Sequence, residues 1–241
     1  MPDREIHLVL MPGMDGTGDL FQGLQQALDP GIRTAIYRFA PNIQGSGSKL
    51  PFHLTSMVPP AAPYILLAES YSTPIAIRHA ATRPPNLKGL VLCAAFATSP
   101  VRGFRRWLAS LLGPVLMKLP LTNFFARAIL VGSAPSPRLL GEVKAAIRSA
   151  PSRVLAGRLR EVLECDVRAE LAEINVPILY LQATGDHLIP NRCMEEIRRI
   201  QPTMELATID GPHLILQREP GQAAIIIKNF AGRLLCSPLL T

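Results

Sequence analysis

The sequence predicts an α/β protein built on a doubly wound, mostly parallel sheet of about six strands. Short apolar runs recur along the 241-residue chain, and helical patterns fill most of the intervals between them. The runs are nearly continuous in apolar residues rather than alternating, which is typical of parallel strands covered by helices on both faces. A chain of this length suits one domain with an ample core, and the β–α alternation predicts the doubly wound sheet.

Six runs are predicted to form the strands. In order they are HLVLMP (7–12), TAIYRF (34–39), YILLAE (64–69), GLVLCAAF (89–96), PILYLQA (177–183) and MELATI (204–209). Helical patterns are predicted at 17–28, 72–83, 191–200 and 219–235. Functional sites in such sheets lie at the carboxyl ends of the strands, near a topological switch point.

One interval breaks this rhythm. Between the fourth and fifth runs lie roughly 80 residues that carry helical patterns punctuated by prolines and no good strand. We expect a helical cap at 101–166, inserted before the fifth strand into a core formed by 1–100 and 167–241. The apolar surplus of this cap is suited to an apolar substrate pocket, with Leu112 and Leu116 as candidate substrate-binding residues.

The net charge of +7 is concentrated in the insertion, because residues 101–168 alone carry a net charge of +8. A solvated helical face is the favoured interpretation, and an anionic partner or a phospholipid surface stays open. Aromatic residues make up only 5% of the chain and no base-stacking motif accompanies the arginines, so nucleic-acid binding is not expected.

Membrane insertion is not expected either. The apolar runs fall far short of the roughly 18 residues that a membrane span requires. The N-terminus lacks a basic region followed by a small-residue cleavage site, so no signal peptide is predicted. We therefore expect a cytoplasmic protein, and the sequence predicts no oligomeric state.

The cysteines give no sign of a metal site. None forms a C-x-x-C pair or a Cys/His cluster with zinc spacing, and we expect reduced, mostly buried thiols. The four are Cys93, Cys165, Cys193 and Cys236.

A serine stands at the corner where the third apolar run meets a helical pattern, in the stretch AESYS. A turn this sharp holds its middle residue in a strained backbone and requires small flanking residues. Ala68 and Ser72 meet that requirement around Ser70. Ser72 is a weaker candidate nucleophile, because the residue two places after it is Pro74, which is better suited to a first helical turn.

A nucleophilic serine needs a base, and the base needs an orienting carboxylate. Asp186 falls just after the fifth run, and His213 falls in the loop between the sixth run and the last helix. Asp166 is the best substitute acid, and Asp210 is too close to His213 to orient it readily. The interpretation is a Ser70–Asp186–His213 triad.

Backbone N–H groups are the expected donors to an oxyanion. The N–H of Tyr71 follows the serine, and the N–H of Met14 lies in the Gly-rich loop PGMDGTG after the first run. This loop is not a dinucleotide site, because GMDGTG does not match G-x-G-x-x-G and no acidic residue ends the second run.

Together these motifs resemble the alpha/beta-hydrolase superfamily over nearly the full chain. The resemblance rests on LMPGMDG, LLAESYS, QATGDHLIP and DGPHLIL. Ala68 and Ser72 stand where the family usually has glycines, Pro12 replaces a frequent histidine, and the first two family strands are missing. The opening LMPGMDGTGDLF is also similar to the esterase/acyltransferase domain of plant phytyl ester synthases.

The resemblance implies a serine hydrolase that cleaves carboxylic esters through an acyl-enzyme on Ser70, without a metal or organic cofactor. An apolar acyl group is expected from the composition of the cap. A thioesterase or an acyltransferase would use the same triad, and a non-catalytic ligand-binding member of the fold is a further alternative.

Overall fold

A computed structural model describes residues 6–39, 62–103, 130–132 and 136–236 of the chain. Its sheet has six strands in the order β2-β1-β3-β4-β5-β6, and every neighbouring pair is parallel. The predicted fold class is therefore confirmed. The strands are β1 (His7–Met11), β2 (Arg33–Ile36), β3 (Tyr64–Glu69), β4 (Leu87–Cys93), β5 (Ile178–Ala183) and β6 (Glu205–Ile209).

In the part of the chain that the structure describes, helices follow every strand except β2. In chain order the described α-helices are α1 (Gln22–Leu28), α2 (Thr73–Ala81), α3 (Pro137–Ser149), α4 (Ser152–Glu164), α5 (Arg168–Ala172), α6 (Asn191–Ile200), α7 (Ile215–Arg218) and α8 (Pro220–Cys236). Short 3₁₀ turns at Asp19–Phe21 and Ser70–Ser72 precede α1 and α2.

Each face of the sheet has its own apolar core. Side chains from α1, α7 and α8 pack on one face, and side chains from α2, α5 and α6 pack on the other. All six residues of β3 are buried, which explains why this central strand reads as an apolar run from Tyr64 to Ala68, before it ends at Glu69.

The chain reverses its winding direction next to β1. The strand order places β2 on one side of β1 and β3 on the other, so the carboxyl ends of β1 and β3 flank a topological switch point. Sites in open α/β sheets form at such points, because the connections on the two sides diverge and leave a crevice.

Three strands differ from the sequence-based expectation. The second run was expected to extend to residue 39, but β2 ends at Ile36. The fourth run was expected to extend to residue 96, but β4 ends at Cys93 because Ala94 takes a left-handed conformation with φ 50°. The sixth run reads as apolar, yet four of the five residues of β6 are not buried, since this strand lies at an edge of the sheet.

The two ends of the insertion meet beside the sheet. Thr98 forms an antiparallel bridge with Asp166, and the Val167 N–H donates to the Ala97 carbonyl at 2.8 Å. Within the insertion the structure describes α3 and α4. The candidate substrate-binding residues Leu112 and Leu116 lie outside the described residues, and the division at 101–166 stays a prediction.

Within the described part of the chain, no helix combines the length and the apolar character needed to cross a membrane.

Candidate active site

The corner between β3 and α2 holds Ser70 in a strained backbone. Its φ is 53°, a left-handed value that a residue with a Cβ rarely adopts. Ala68 is fully buried beneath the corner, where a small side chain fits. The expected sharp strand-to-helix turn is present with alanine and serine in the flanking positions.

Ser72 has a different environment from Ser70. It is fully buried, and its Oγ lies 2.9 Å from the Met11 carbonyl and 3.0 Å from the Glu69 carbonyl. The same Oγ accepts the Glu69 N–H at 3.1 Å, so this hydroxyl joins the corner to β1. Ser72 is thus engaged by the main chain.

A line of hydrogen bonds joins Ser70, His213 and Asp186. His213 Nε2 lies 3.0 Å from Ser70 Oγ, and His213 Nδ1 lies 2.8 Å from Asp186 Oδ2. The imidazole and the carboxylate are both almost completely buried, at 4% and 6% side-chain exposure. The structure therefore brings together the three residues that the sequence singled out, although up to 143 positions separate them.

Asp186 is held as a carboxylate by several donors. Its Oδ1 accepts the backbone N–H of Leu188 at 2.8 Å and of Ile189 at 3.0 Å. Burial acts to raise the pKa of Asp186, but the hydrogen bond from His213 and these two N–H groups outweigh it, so the pKa lies below its usual value. The other oxygen, Oδ2, is left to face the imidazole.

The loops that carry the acid and the histidine are tied together. The Gly185 N–H donates to the Gly211 carbonyl at 2.8 Å. A Cβ at position 185 would lie 2.9 Å from that carbonyl oxygen, closer than side chains tolerate. Glycine at this position lets the two loops approach, which fixes the distance between Asp186 and His213.

The rival acids are engaged elsewhere. Asp166 is exposed and forms a bidentate ion pair with Arg168, at 2.6 and 2.9 Å. Asp210 accepts a hydrogen bond from the Thr184 hydroxyl at 2.6 Å. The hydrogen bond between His213 and Asp186 favours Asp186 as the acid.

A tight turn at 13–16 passes beside Ser70. The Gly16 N–H donates to the Gly13 carbonyl at 3.1 Å, and a Cβ built on Gly13 would lie only 3.9 Å from Ser70 Cβ. The carbonyl and N–H of one trans peptide point in opposite directions. Since the Gly13 carbonyl points into the turn, the N–H of Met14 points out of it.

Glu69 is a buried carboxyl group next to Ser70 that the sequence analysis did not single out. It is 2% exposed, and Gln217 Nε2 donates to its Oε2 at 3.1 Å. Burial raises the pKa of Glu69 to about 7, despite the opposing influence of His213 and Gln217, and the charge of Asp15 adds to the rise. Glu69 Oε1 has no hydrogen-bond partner among the described residues.

The raised pKa of Glu69 predicts a pH-dependent stability. Because the folded pKa of about 7 exceeds the ordinary 4.5, this contribution is fully present below pH 4.5 and is lost as the pH rises through 7. Replacing Glu69 by Gln removes the titration. Relative to wild type, the free energy of unfolding of the variant should rise by about 2–3 kcal/mol between about pH 4.5 and 8.

Urea denaturation of both proteins at the two pH values measures this difference. Other titrating groups are common to both proteins and cancel in the comparison. A difference that stays constant across the range would show that the Glu69 carboxyl titrates normally in the fold.

Two residues of α4 also reach this region without having been predicted to do so. Arg158 is 1% exposed and donates to the carbonyls of Met14 and Asp15, and Glu161 accepts a hydrogen bond from the Tyr71 hydroxyl. The sequence carried one signal for Arg158. It lies four residues after Val154 and four before Val162, within the apolar stripe of the helix.

Within the described residues, no group of three or more His, Cys, Asp or Glu side chains is arranged to hold a metal ion.

The comparisons with known proteins agree with this architecture. Residues 52–217 match the Hydrolase_4 family model, described as serine aminopeptidase, S33. No curated protein sequence matches the chain significantly.

Several solved structures share the fold. A hydrolase from Oleispira antarctica superposes with a TM-score of 0.78 at 12% identity, over 97% of this chain and 92% of that one. A lipase-esterase related protein from Clostridium acetobutylicum gives a TM-score of 0.77 at 17% identity, over 93% and 94%. A thermophilic esterase from Thermogutta terrifontis gives 0.74 at 18% identity, over 95% and 90%. At these identities the likeness establishes the fold alone.

Proposed function

We propose a specific reaction for this chain, which belongs to the serine aminopeptidase (S33) family of alpha/beta hydrolases. The proposed reaction is hydrolysis of a carboxylic ester through an acyl-enzyme on Ser70. One observation carries the proposal. Ser70 stands in a left-handed corner, in hydrogen-bond contact with a histidine that a buried carboxylate orients.

The proton path follows from the hydrogen-bond line. Asp186 Oδ2 accepts from His213 Nδ1, which leaves Nε2 unprotonated and able to accept the proton of Ser70 as its Oγ attacks the ester carbonyl. The imidazolium that forms is stabilised by the carboxylate. It then gives its proton to the leaving alkoxide as the ester C–O bond breaks. In the second half of the reaction His213 accepts a proton from water as the water attacks the acyl carbon, and Ser70 Oγ leaves and takes that proton.

The oxyanion of the tetrahedral intermediate is proposed to accept from the N–H groups of Met14 and Tyr71. The outward direction of the Met14 N–H and the closeness of Gly13 to Ser70 support this assignment. Tyr71 lies directly after the nucleophile, within the 3₁₀ turn Ser70–Ser72 that precedes α2. Donors fixed before the reaction stabilise the charge without reorganisation, which gives such sites their large effect.

Pre-steady-state kinetics tests the proposal. With p-nitrophenyl butyrate we expect a burst of nitrophenol of about one equivalent per chain, because the acyl-enzyme forms faster than it hydrolyses. The matched substrate butyryl p-nitroanilide tests amide cleavage, the reaction that the word aminopeptidase in the family description denotes. Faster turnover of the anilide than of the ester would contradict the assignment as an esterase.

The acyl group is proposed to be apolar, on the basis of the composition of the insertion. Replacing Leu112 by Trp is expected to raise KM for p-nitrophenyl octanoate by about tenfold, the usual scale for a steric change in an apolar pocket. The kcat for the acetate ester should change little, because the chemical groups are untouched.

Ile225→Trp is the control for this substitution, since Ile225 lies on α8 with 62% exposure. It should leave both esters unaffected. Equal losses of kcat for acetate and octanoate in a folded Leu112→Trp variant would rule against a role for Leu112 in acyl selectivity.

A further inference from the structure

Arg158 is a cation buried in the contact between α4 and the turn at 13–16. It is 1% exposed, and its Nη1 donates to the Met14 carbonyl at 2.6 Å and to the Asp15 carbonyl at 2.9 Å. The guanidinium also lies 5.1 Å from the ring centre of Phe39 and 5.6 Å from that of Tyr71.

Burial lowers the pKa of Arg158, while Tyr71, Asp15 and Glu161 oppose that change. A buried charge persists only when such partners surround it.

The two carbonyls belong to the turn that supplies a proposed oxyanion donor. Nη1 holds both carbonyls from the same side, which fixes how the peptides of the turn are rotated. The turn is adapted to this contact. A Cβ at Gly16 would lie 2.5 Å from Nη1, so only glycine leaves room for the guanidinium. On its other side the Gly16 carbonyl accepts the Phe39 N–H at 2.9 Å.

The same helix also holds the second proposed donor residue. Glu161, three positions after Arg158 and on the same side of α4, accepts the hydrogen bond of the Tyr71 hydroxyl. One helix of the insertion therefore contacts both residues whose N–H groups face the proposed oxyanion. A substrate-selecting cap alone does not require this arrangement.

We infer that Arg158 is a positioning residue for the oxyanion site, so that the seating of α4 on the turn at 13–16 determines the rate of the chemical step. The inference rests on the proposed function. It also gives the insertion a role beyond that of a pocket for the acyl group, because α4 contacts both residues that are proposed to stabilise the transition state.

The test compares Arg158→Gln with Arg160→Gln, which replaces an exposed arginine two positions along the same helix. Both full-length variants are assayed below their melting temperatures, with folding checked by circular dichroism.

Loss of one oxyanion donor lowers kcat by about 10²–10³, so misplacing a donor should lower kcat by about 10–100-fold. The loss should be equal for acetate and octanoate esters, with KM within about threefold of wild type. Arg160→Gln should match wild type.

A second readout reports on the oxyanion site itself. A trifluoromethyl ketone forms a tetrahedral adduct with the serine, and its affinity should fall by the same factor as kcat in Arg158→Gln. If that variant does not fold, Arg158→Lys replaces it, because lysine keeps the charge and one hydrogen bond while losing the planar fork. It should show a smaller loss of the same kind.

The possible results test the positioning role of Arg158 and the proposed ester hydrolysis separately. A folded Arg158 variant with a lowered melting temperature and wild-type kcat would overturn the inference and make Arg158 an anchor of the cap only. A loss confined to KM for long esters would equally overturn it in favour of a pocket role. Wild-type protein that neither turns over esters nor binds the ketone would overturn the proposed function, and the inference with it.

Discussion

Replacing Ser70 by alanine is expected to lower kcat for ester hydrolysis by about 10⁶, the scale of loss for nucleophiles of serine hydrolases. The reason is local. Ser70 Oγ is the atom that His213 Nε2 contacts at 3.0 Å, and no other described hydroxyl has a hydrogen bond to that nitrogen. The fold should persist because the side chain is small and half-buried. Steady-state kinetics with p-nitrophenyl butyrate measures the loss. Retained activity in the Ser70→Ala variant would refute the assignment of Ser70 as the nucleophile.

Ser70→Gly tests the strain at the corner separately. It should be as inactive as the alanine variant but more stable by about 1 kcal/mol, because a φ of 53° is unfavourable for a residue with a Cβ. Thermal denaturation compares the two variants. Equal stability would mean that the left-handed conformation of Ser70 stores no strain.

Replacing Asp186 by asparagine is expected to lower kcat by about 10⁴, as in other triads whose acid is converted to its amide. The two backbone donors at Leu188 and Ile189 should retain the amide oxygen. The amide NH₂ would then face His213 Nδ1 and favour the tautomer that carries a proton on Nε2. An imidazole in that form cannot accept the proton of Ser70.

Asp166→Asn is the matched control, because Asp166 was the alternative acid in the sequence and pairs with Arg168 at the surface. Its kcat should stay within about twofold of wild type, as for most surface substitutions away from a site. A severe loss in Asp166→Asn together with a mild one in Asp186→Asn would mean that the acid is misassigned.

The strands and the principal turns could be predicted from the sequence because their causes are local. The apolar runs ended within a few residues of the observed strands, and AESYS indicated the corner from the small residues alone. The grouping of Ser70, Asp186 and His213 could also be predicted, since each follows a strand whose carboxyl end lies at the same edge of the sheet.

The contacts of α4 with the turn at 13–16 could not be predicted, because they depend on the way an inserted helix packs against a loop 143 or 144 positions away. An arginine within an apolar helical stripe is a visible signal, but it does not identify its partner. The burial of the Glu69 side chain could not be predicted from the sequence for a related reason. Its neighbour Gln217 comes from α7, whose position depends on the whole sheet.

Mass-spectrometric mapping of the fluorophosphonate adduct tests the central claim most directly. The reagent reacts with a serine only where a base and an oxyanion site activate it. We predict one adduct per chain, located on Ser70, absent from Ser70→Ala and still formed in Ser72→Ala, since the Ser72 hydroxyl is bound to the main chain. An adduct on Ser72, or folded protein that hydrolyses esters without forming an adduct on Ser70, would contradict the account.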